Sequence, residues 1–273
     1  MVTTRYSLRP RPRWTSGALT CVALFAFGGL LLWGLFRAPR SHAPASPDVR
    51  WAVPTRPLRV ASLDFGAWTG NPLDAAKILN GIDPDVVLAQ RVPGEFAAPL
   101  AEALGMERSF HPRNFVRLGR GSAPGCLVLC KHPLYDATPL RPESDPQTPL
   151  GVWAAVVMDG RRFAVASADA GPNLSGGGVP GLAAAALLNA RQRAAGNPPI
   201  VAAFRSPPMN SAKAKLLETA GLADAIGEPS GDGGPTGVNP LVAIAGPWRV
   251  RPAAAGPPRA PAPGILWVEV GPE

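Results

Sequence analysis

Cysteine is nearly missing from this chain, with only Cys21, Cys126 and Cys130 among 273 residues. Positions four apart in a strand lie about 13 Å apart on one face, beyond disulfide reach. No zinc-type spacing is present either, so Cys126 and Cys130 read as core residues. Histidine is equally scarce: His42, His111 and His132 are the whole supply, and His111 sits in a loop-like His-Pro-Arg-Asn run. The glycine-rich segments Gly176–Gly178 and Gly231–Gly237 lack the strand–GxxxxGK–helix setting of a phosphate-cradling loop. No internal repeat or heptad occurs. The first fifty residues hold a single acid, Asp48, against seven arginines, and so carry +6 of the chain's net +8. The remainder is close to neutral and has no basic stripe of the kind a phosphate backbone requires. Nucleic acid is not an expected partner.

Hydrophobic length is what the N-terminal region does have. Trp14–Phe36 is an uncharged run of 23 residues, enough for a tilted helix across a bilayer core of ~30 Å. Trp14 and Trp33 suit the interfacial belts. A cleavable signal peptide usually carries an apolar stretch of only ~7–15 residues, which favours an uncleaved signal anchor. Arg5, Arg9, Arg11 and Arg13 precede the helix in a tight cluster, so the tail 1–13 is expected inside and the rest of the chain outside the cytoplasm. Residues 37–56, with Pro39, Pro44, Pro47 and Pro54, read as an extended stalk.

From residue 57 to 273 the pattern changes to interleaved strands and helices. Leu58–Leu63 is a strand pattern that ends in a Gly-containing turn, and Pro72–Asn80 has helical spacing. Asp83-Pro84-Asp85 launches the buried strand Val86–Ala89, and Phe96–Leu104 is a helix closed by Gly105. Gly125–Cys130 is a strand. Trp153–Met158 turns through Asp159-Gly160 into Phe163–Ser167, a hairpin. Gly181–Ala194 is a helix, Ile200–Phe204 a strand, Ala212–Ala220 a helix and Ile265–Val270 the last strand. A mixed α/β layered fold follows.

Several segments, in order, resemble the endonuclease/exonuclease/phosphatase superfamily over roughly residues 57–270. LRVASLDF at Leu58–Phe65 resembles the family's opening strand, which ends in a metal-site Asn. DPDVVLAQRV at Asp83–Val92 resembles D-P-D-[IV]-[VI]-x-L-Q-E-[VT], and GCLVLCKHPL at Gly125–Leu134 resembles G-x-A-[IL]-L-S-[RK]-x-P-[IL]. PIVAAFRSPP at Pro199–Pro208 is similar to the strand bearing G-D-F-N, and Leu222–Ala225 to G-L-x-D-[AT]. The resemblance implies a DNase-like four-layer sandwich, two mixed β-sheets flanked by helices, preceded here by one N-terminal transmembrane helix.

The resemblance also implies a divalent metal, usually Mg²⁺, held by carboxylates and Asn, with an Asp–His pair readying a water. This chain departs from that pattern at each such position. Asp64 stands for the first-strand Asn, Arg91 for the metal-binding Glu, and Asp169 for the catalytic His. Ala203 and Arg205 replace the Asp and Asn of G-D-F-N, and the closing S-D-H becomes Ala262-Pro263-Gly264. At ~4 Å and an effective dielectric of ~20, one cation–cation pair costs ~4 kcal/mol, and a divalent ion doubles it. The family's metal is therefore not expected to be retained, and no catalytic residue is assigned. Arg91 and Arg205 either form an anion pocket for phosphate or sulfate, or pair with Asp64 and Asp169 in the vacated cleft. The expectation is a catalytically degenerate, membrane-anchored binding or structural module. The alternative is a divergent metal-dependent phosphodiesterase or phosphatase with relocated groups.

Overall fold

The computed structural model describes residues 48–66, 68, 70–112, 123–169, 179–194, 196–205, 217–218, 221–224, 240–251 and 265–272. The expected membrane segment Trp14–Phe36, the tail before it and the first part of the stalk lie outside the described residues, as does Gly264. Among the described residues no helix is long and apolar enough to cross a membrane.

In chain order the first elements are β1 (Leu58–Asp64), α1 (Pro72–Ile82), β2 (Val86–Val92), α2 (Gly94–Leu104), β3 (Glu107–Pro112), β4 (Gly125–Cys130) and β5 (Leu134–Leu140). They continue with β6 (Gly151–Met158), β7 (Arg161–Asp169), α3 (Val179–Arg193), β8 (Ile200–Arg205), β9 (Ala223–Asp224), β10 (Pro240–Ala245), β11 (Trp248–Arg251) and β12 (Ile265–Pro272). Two six-stranded sheets result. Sheet I has the order β11-β12-β1-β2-β4-β3, and sheet II the order β5-β6-β7-β8-β10-β9. Each is antiparallel except for one central parallel pair, β1 with β2 and β7 with β8. A parallel pair needs a crossover, and α1 and α3 supply the two.

Local chemistry sets the element ends. The Asn71 side chain accepts from the backbone N–H groups of Leu73 and Asp74, and Pro72 follows it where a helix needs no donor. Asp83, with φ of 55°, closes α1 by donating its N–H to the Leu79 carbonyl. Asp159 and Gly160 both have positive φ and form the expected β6–β7 hairpin turn.

The central strands are buried on both faces, so they read as apolar runs rather than alternations. Their inner faces meet in one core, in which Val86, Leu88, Val128, Val152, Val156 and Phe163 are buried. The Phe163 and Trp248 rings pack edge to face there, 5.7 Å between centroids. The outer face of sheet I is covered by α1 and α2 through Leu79, Leu100 and Leu127. The outer face of sheet II meets α3 through Ala183, Leu187 and Phe204. Helix, sheet, sheet and helix make the four layers. Fully burying each such Leu or Phe is worth about 1.5–3 kcal/mol.

Three features differ from the sequence reading. His111 is not in a loop: it lies in β3, in register with Cys126, on an edge strand that tolerates the terminal Pro112. Strands β5, β10 and β11 form from segments that carry no strong alternation. Part of the proline-rich stalk is joined to sheet II: Ala52 donates to the Arg162 carbonyl at 2.8 Å, and Arg162 donates to Arg50 at 3.0 Å. That junction continues through Thr55 to Asp159 and Arg56 to His132.

The Arg56–His132 contact has a consequence for acid stability. Arg56 Nη2 lies 2.8 Å from His132 Nε2, and because arginine can only donate, that ring nitrogen must be the unprotonated one. Burial, and then the Arg56 charge, hold the His132 pKa below its usual value. Burial and Arg141 do the same for His111. Both histidines take a proton more readily in the unfolded chain, so stability is lost as pH falls through the unfolded value of about 6.5 and toward the lower folded values. Thermal unfolding should therefore occur at lower temperature at pH 5 than at pH 7.5, and the difference should shrink in a His111→Asn/His132→Gln variant. An unchanged difference in that variant refutes the assignment.

Candidate functional site

The C-terminal ends of the two parallel pairs come together at one end of the inter-sheet space, the usual place for a site in parallel architecture. The register puts Asp64 opposite Gln90 in sheet I and Asp169 opposite Arg205 in sheet II. Asp64 follows the inward-facing Val60 and Ser62 on β1, and Gln90 follows the inward-facing Val86 and Leu88 on β2. Strand periodicity therefore points these polar groups between the sheets.

Gln90 joins the two halves. Its Nε2 donates to Ser167 Oγ at 3.1 Å, and Ser167 Oγ donates in turn to the Ala89 carbonyl at 2.8 Å. Ser62 Oγ lies 3.5 Å from Gln90 Oε1. All three side chains are fully buried. Gln90 matches the glutamine of the resembled motif, but its role as a bridge between sheets was not foreseen. The only signal in the sequence was a polar residue ending an apolar run.

Next to this network, Asp64 is held by Arg91. Arg91 Nε donates to Asp64 Oδ1 at 2.7 Å and Nη2 to Oδ2 at 2.6 Å, a two-pronged pair. The Gly66 N–H also donates to Asp64 Oδ1 at 3.0 Å. The Asp64 side chain is 1% exposed and that of Arg91 is 26% exposed. The local backbone is built for this contact. Between Ala89 and Val92 the pairing of β2 with β4 slips, and Arg91 there adopts φ of 54°. Its guanidinium lies directly over Gly66, where a Cβ would fall 1.6 Å from Cζ. No side chain but hydrogen fits at residue 66 while Arg91 stays in place.

The second pair is looser, and its arginine is deeper. Arg205 Nη1 donates to Asp169 Oδ1 at 3.4 Å, and both side chains are 6% exposed. Arg205 Nε has no hydrogen-bond partner among the described residues. Ala203 is buried in the inter-sheet core between Ser167 and Val242 of the neighbouring strands. Asp224 lies on β9, the edge strand of sheet II. His111 and His132 are on β3 and just after β4, and their bonding does not involve these pairs.

A magnesium ion of the family type asks for several unencumbered carboxylate and amide oxygens. Three of the roughly four acceptor directions of Asp64 are already taken by N–H groups, two of them cationic. Asp169 faces a buried guanidinium. Among the described residues no three His, Cys, Asp or Glu side chains converge as a metal-binding group. The described residues at this end of the strands do not fit the ion. Cys126 and Cys130 lie on one face of β4 in the inter-sheet core, neither in a disulfide, and burial pushes the Cys130 thiol up to about 12, far from a reactive thiolate.

No protein-family model matches the sequence, and no curated protein matches it. Solved structures do. The catalytic domain of human Nocturnin, a structure with bound sulfate, superposes with a TM-score of 0.61 at 15% identity, covering 82% of this chain and 98% of that one. An endonuclease/exonuclease/phosphatase protein from Bacteroides vulgatus gives 0.60 at 13% identity, covering 80% and 100%. TDP2 from D. rerio, complexed with single-stranded DNA product, gives 0.58 at 12% identity, covering 79% and 99%. At such identities the agreement concerns architecture rather than chemistry, and the chain carries the fold of the endonuclease/exonuclease/phosphatase proteins.

Proposed function

We propose that this domain is a catalytically degenerate form of its fold, a binding or structural module held at a membrane by Trp14–Phe36 and displayed outside the cytoplasm. One observation carries the reading: the two carboxylates at the end of the parallel strands, Asp64 and Asp169, are each engaged by a guanidinium. Among the described residues two acids and two arginines balance there, which favours strong attraction of neither a divalent cation nor a phosphate. Removing the arginines from their partners to make an anion pocket would also take the paired guanidinium away from two buried carboxylates.

Magnesium and manganese titrated calorimetrically into the full chain in lipid nanodiscs should show no saturable binding in the millimolar range. Bis(4-nitrophenyl) phosphate should then remain unhydrolysed, and the chain should stay with the membrane fraction in alkaline carbonate. Metal-dependent hydrolysis that disappears in Asp169→Ala would establish the divergent phosphodiesterase instead. Release by carbonate would remove the membrane half of the proposal.

A further inference from the structure

Helix α3 roofs only part of the outer face of sheet II, and beside it lies a cavity of about 460 Å³. Volumes of several hundred Å³ are those of small-molecule sites. This cavity opens on the outer face, so it is separate from the inter-sheet network around Gln90. Its floor is apolar: Leu140 and Trp153 are almost wholly buried, and Ala190 of α3 leaves space that a longer side chain would fill. Trp51 walls one side. The backbone bonds between Arg50, Ala52 and Arg162 fix it there, and the Arg162 guanidinium lies 4.0 Å from its ring centroid.

The charges around this floor are unbalanced. Among the described residues, Arg141, Arg162 and Arg193 line the cavity against a single acid, Asp136. Asp136 is taken by Arg162. Arg141 donates to the Pro146 carbonyl, which is uncharged, and has no acid in ion-pair range among the described residues. Arg193 meets Glu143 only at 3.8 Å, with both side chains more than 70% exposed, a contact of little strength. Two guanidinium groups are thus available beside a surface that excludes water on one side. Guanidinium binds carboxylates through paired N–H donors, and an indole face beside it favours a flat apolar body.

We propose that this cavity binds a small organic carboxylate with an apolar body. The body lies over Leu140 and Trp153 beside Trp51, and the head is taken by Arg141 and Arg193. Nothing in this assignment depends on whether the inter-sheet end is catalytic.

The probe is 4-phenylbutyrate, titrated calorimetrically into the full chain in zwitterionic nanodiscs with empty nanodiscs subtracted; 4-phenylbutyramide serves as the uncharged analogue. Saturable one-to-one binding with Kd below about 1 mM is expected, with the amide at least about tenfold weaker. Arg141→Gln/Arg193→Gln should weaken the carboxylate about tenfold while leaving the amide unchanged, since it removes charge but no floor. Ala190→Leu should abolish binding of both. A benzophenone carboxylate, photocrosslinked to the unmodified chain and mapped by mass spectrometry, should label residues 138–153 or 186–194, and this arm stands even if Ala190→Leu does not fold. Absence of saturable binding, equal affinity for acid and amide, or crosslinks confined to other segments would each overturn the proposal.

Discussion

Replacing Arg91 with alanine is expected to cost the domain about 3–5 kcal/mol, because it leaves the Asp64 carboxylate buried without its counter-charge. The size follows from the asymmetry of buried pairs. Forming one gains little net, since desolvating both ions offsets most of their attraction, but deleting one partner exposes the whole desolvation cost of the other. Asp64 is almost completely enclosed, and the Gly66 N–H alone remains to satisfy it once Arg91 is gone. The companion variant Asp64→Asn/Arg91→Met removes both charges, and asparagine keeps an acceptor for Gly66. It should recover about 2 kcal/mol or more of the loss, a coupling in the range that contacting residues show. Urea unfolding of the parent, Asp64→Asn, Arg91→Met and the double variant, with Arg91→Ala measured alongside and followed by tryptophan fluorescence, measures the cycle. If Arg91→Ala costs under about 1 kcal/mol, Asp64 is not confined as described. The proposed neutrality of the site then loses its basis.

The same pair shows how far the sequence could be read. Arg91 and Asp64 were visible as departures from the resembled motifs, and their charges alone made mutual pairing one of two open outcomes. What composition could not supply was the backbone: the slip between Ala89 and Val92, the positive φ at Arg91 and the bare Cα of Gly66 beneath its guanidinium. These are tertiary facts, since Gly66 and Arg91 meet only after β1 and β2 pair. The central strands were legible because burial on both faces makes them continuous apolar runs, and α1 and α2 because Asn71, Pro72 and Gly105 mark their ends. β5 was missed for the opposite reason: Asp136 and Pro139 interrupt it, and at the sheet edge only its end residues Leu134 and Leu140 are buried. His111 was misplaced by the same mechanism, as a proline beside it suggested a loop where an edge strand could accept one. The cavity under Trp51 had no sequence signal, because it is assembled from five separate stretches of the chain, from Trp51 to Ala194.

Gln90→Ala is the other substitution with a large expected effect, about 2–4 kcal/mol. It combines a cavity in a close-packed core with the loss of the Gln90–Ser167 bond, one of two that join the sheets here. Gln90→Leu separates these contributions: leucine nearly restores the volume, so the remaining loss, about 1–3 kcal/mol, reports the polar bridge. Ser167 is the informative partner. Its hydroxyl accepts from Gln90 and donates to Ala89, so after Gln90→Leu it keeps one of two bonds. Combining Gln90→Leu with Ser167→Ala should therefore cost less than the two singles added together, by about 0.5–3 kcal/mol. Strict additivity in urea unfolding would mean that Gln90 and Ser167 stabilise the fold independently of each other. The position of Asp64 relative to Asp169 would then owe nothing to Gln90. A shortfall from additivity would instead identify this glutamine as the residue that sets the spacing of the two ion pairs, independently of any chemistry they perform.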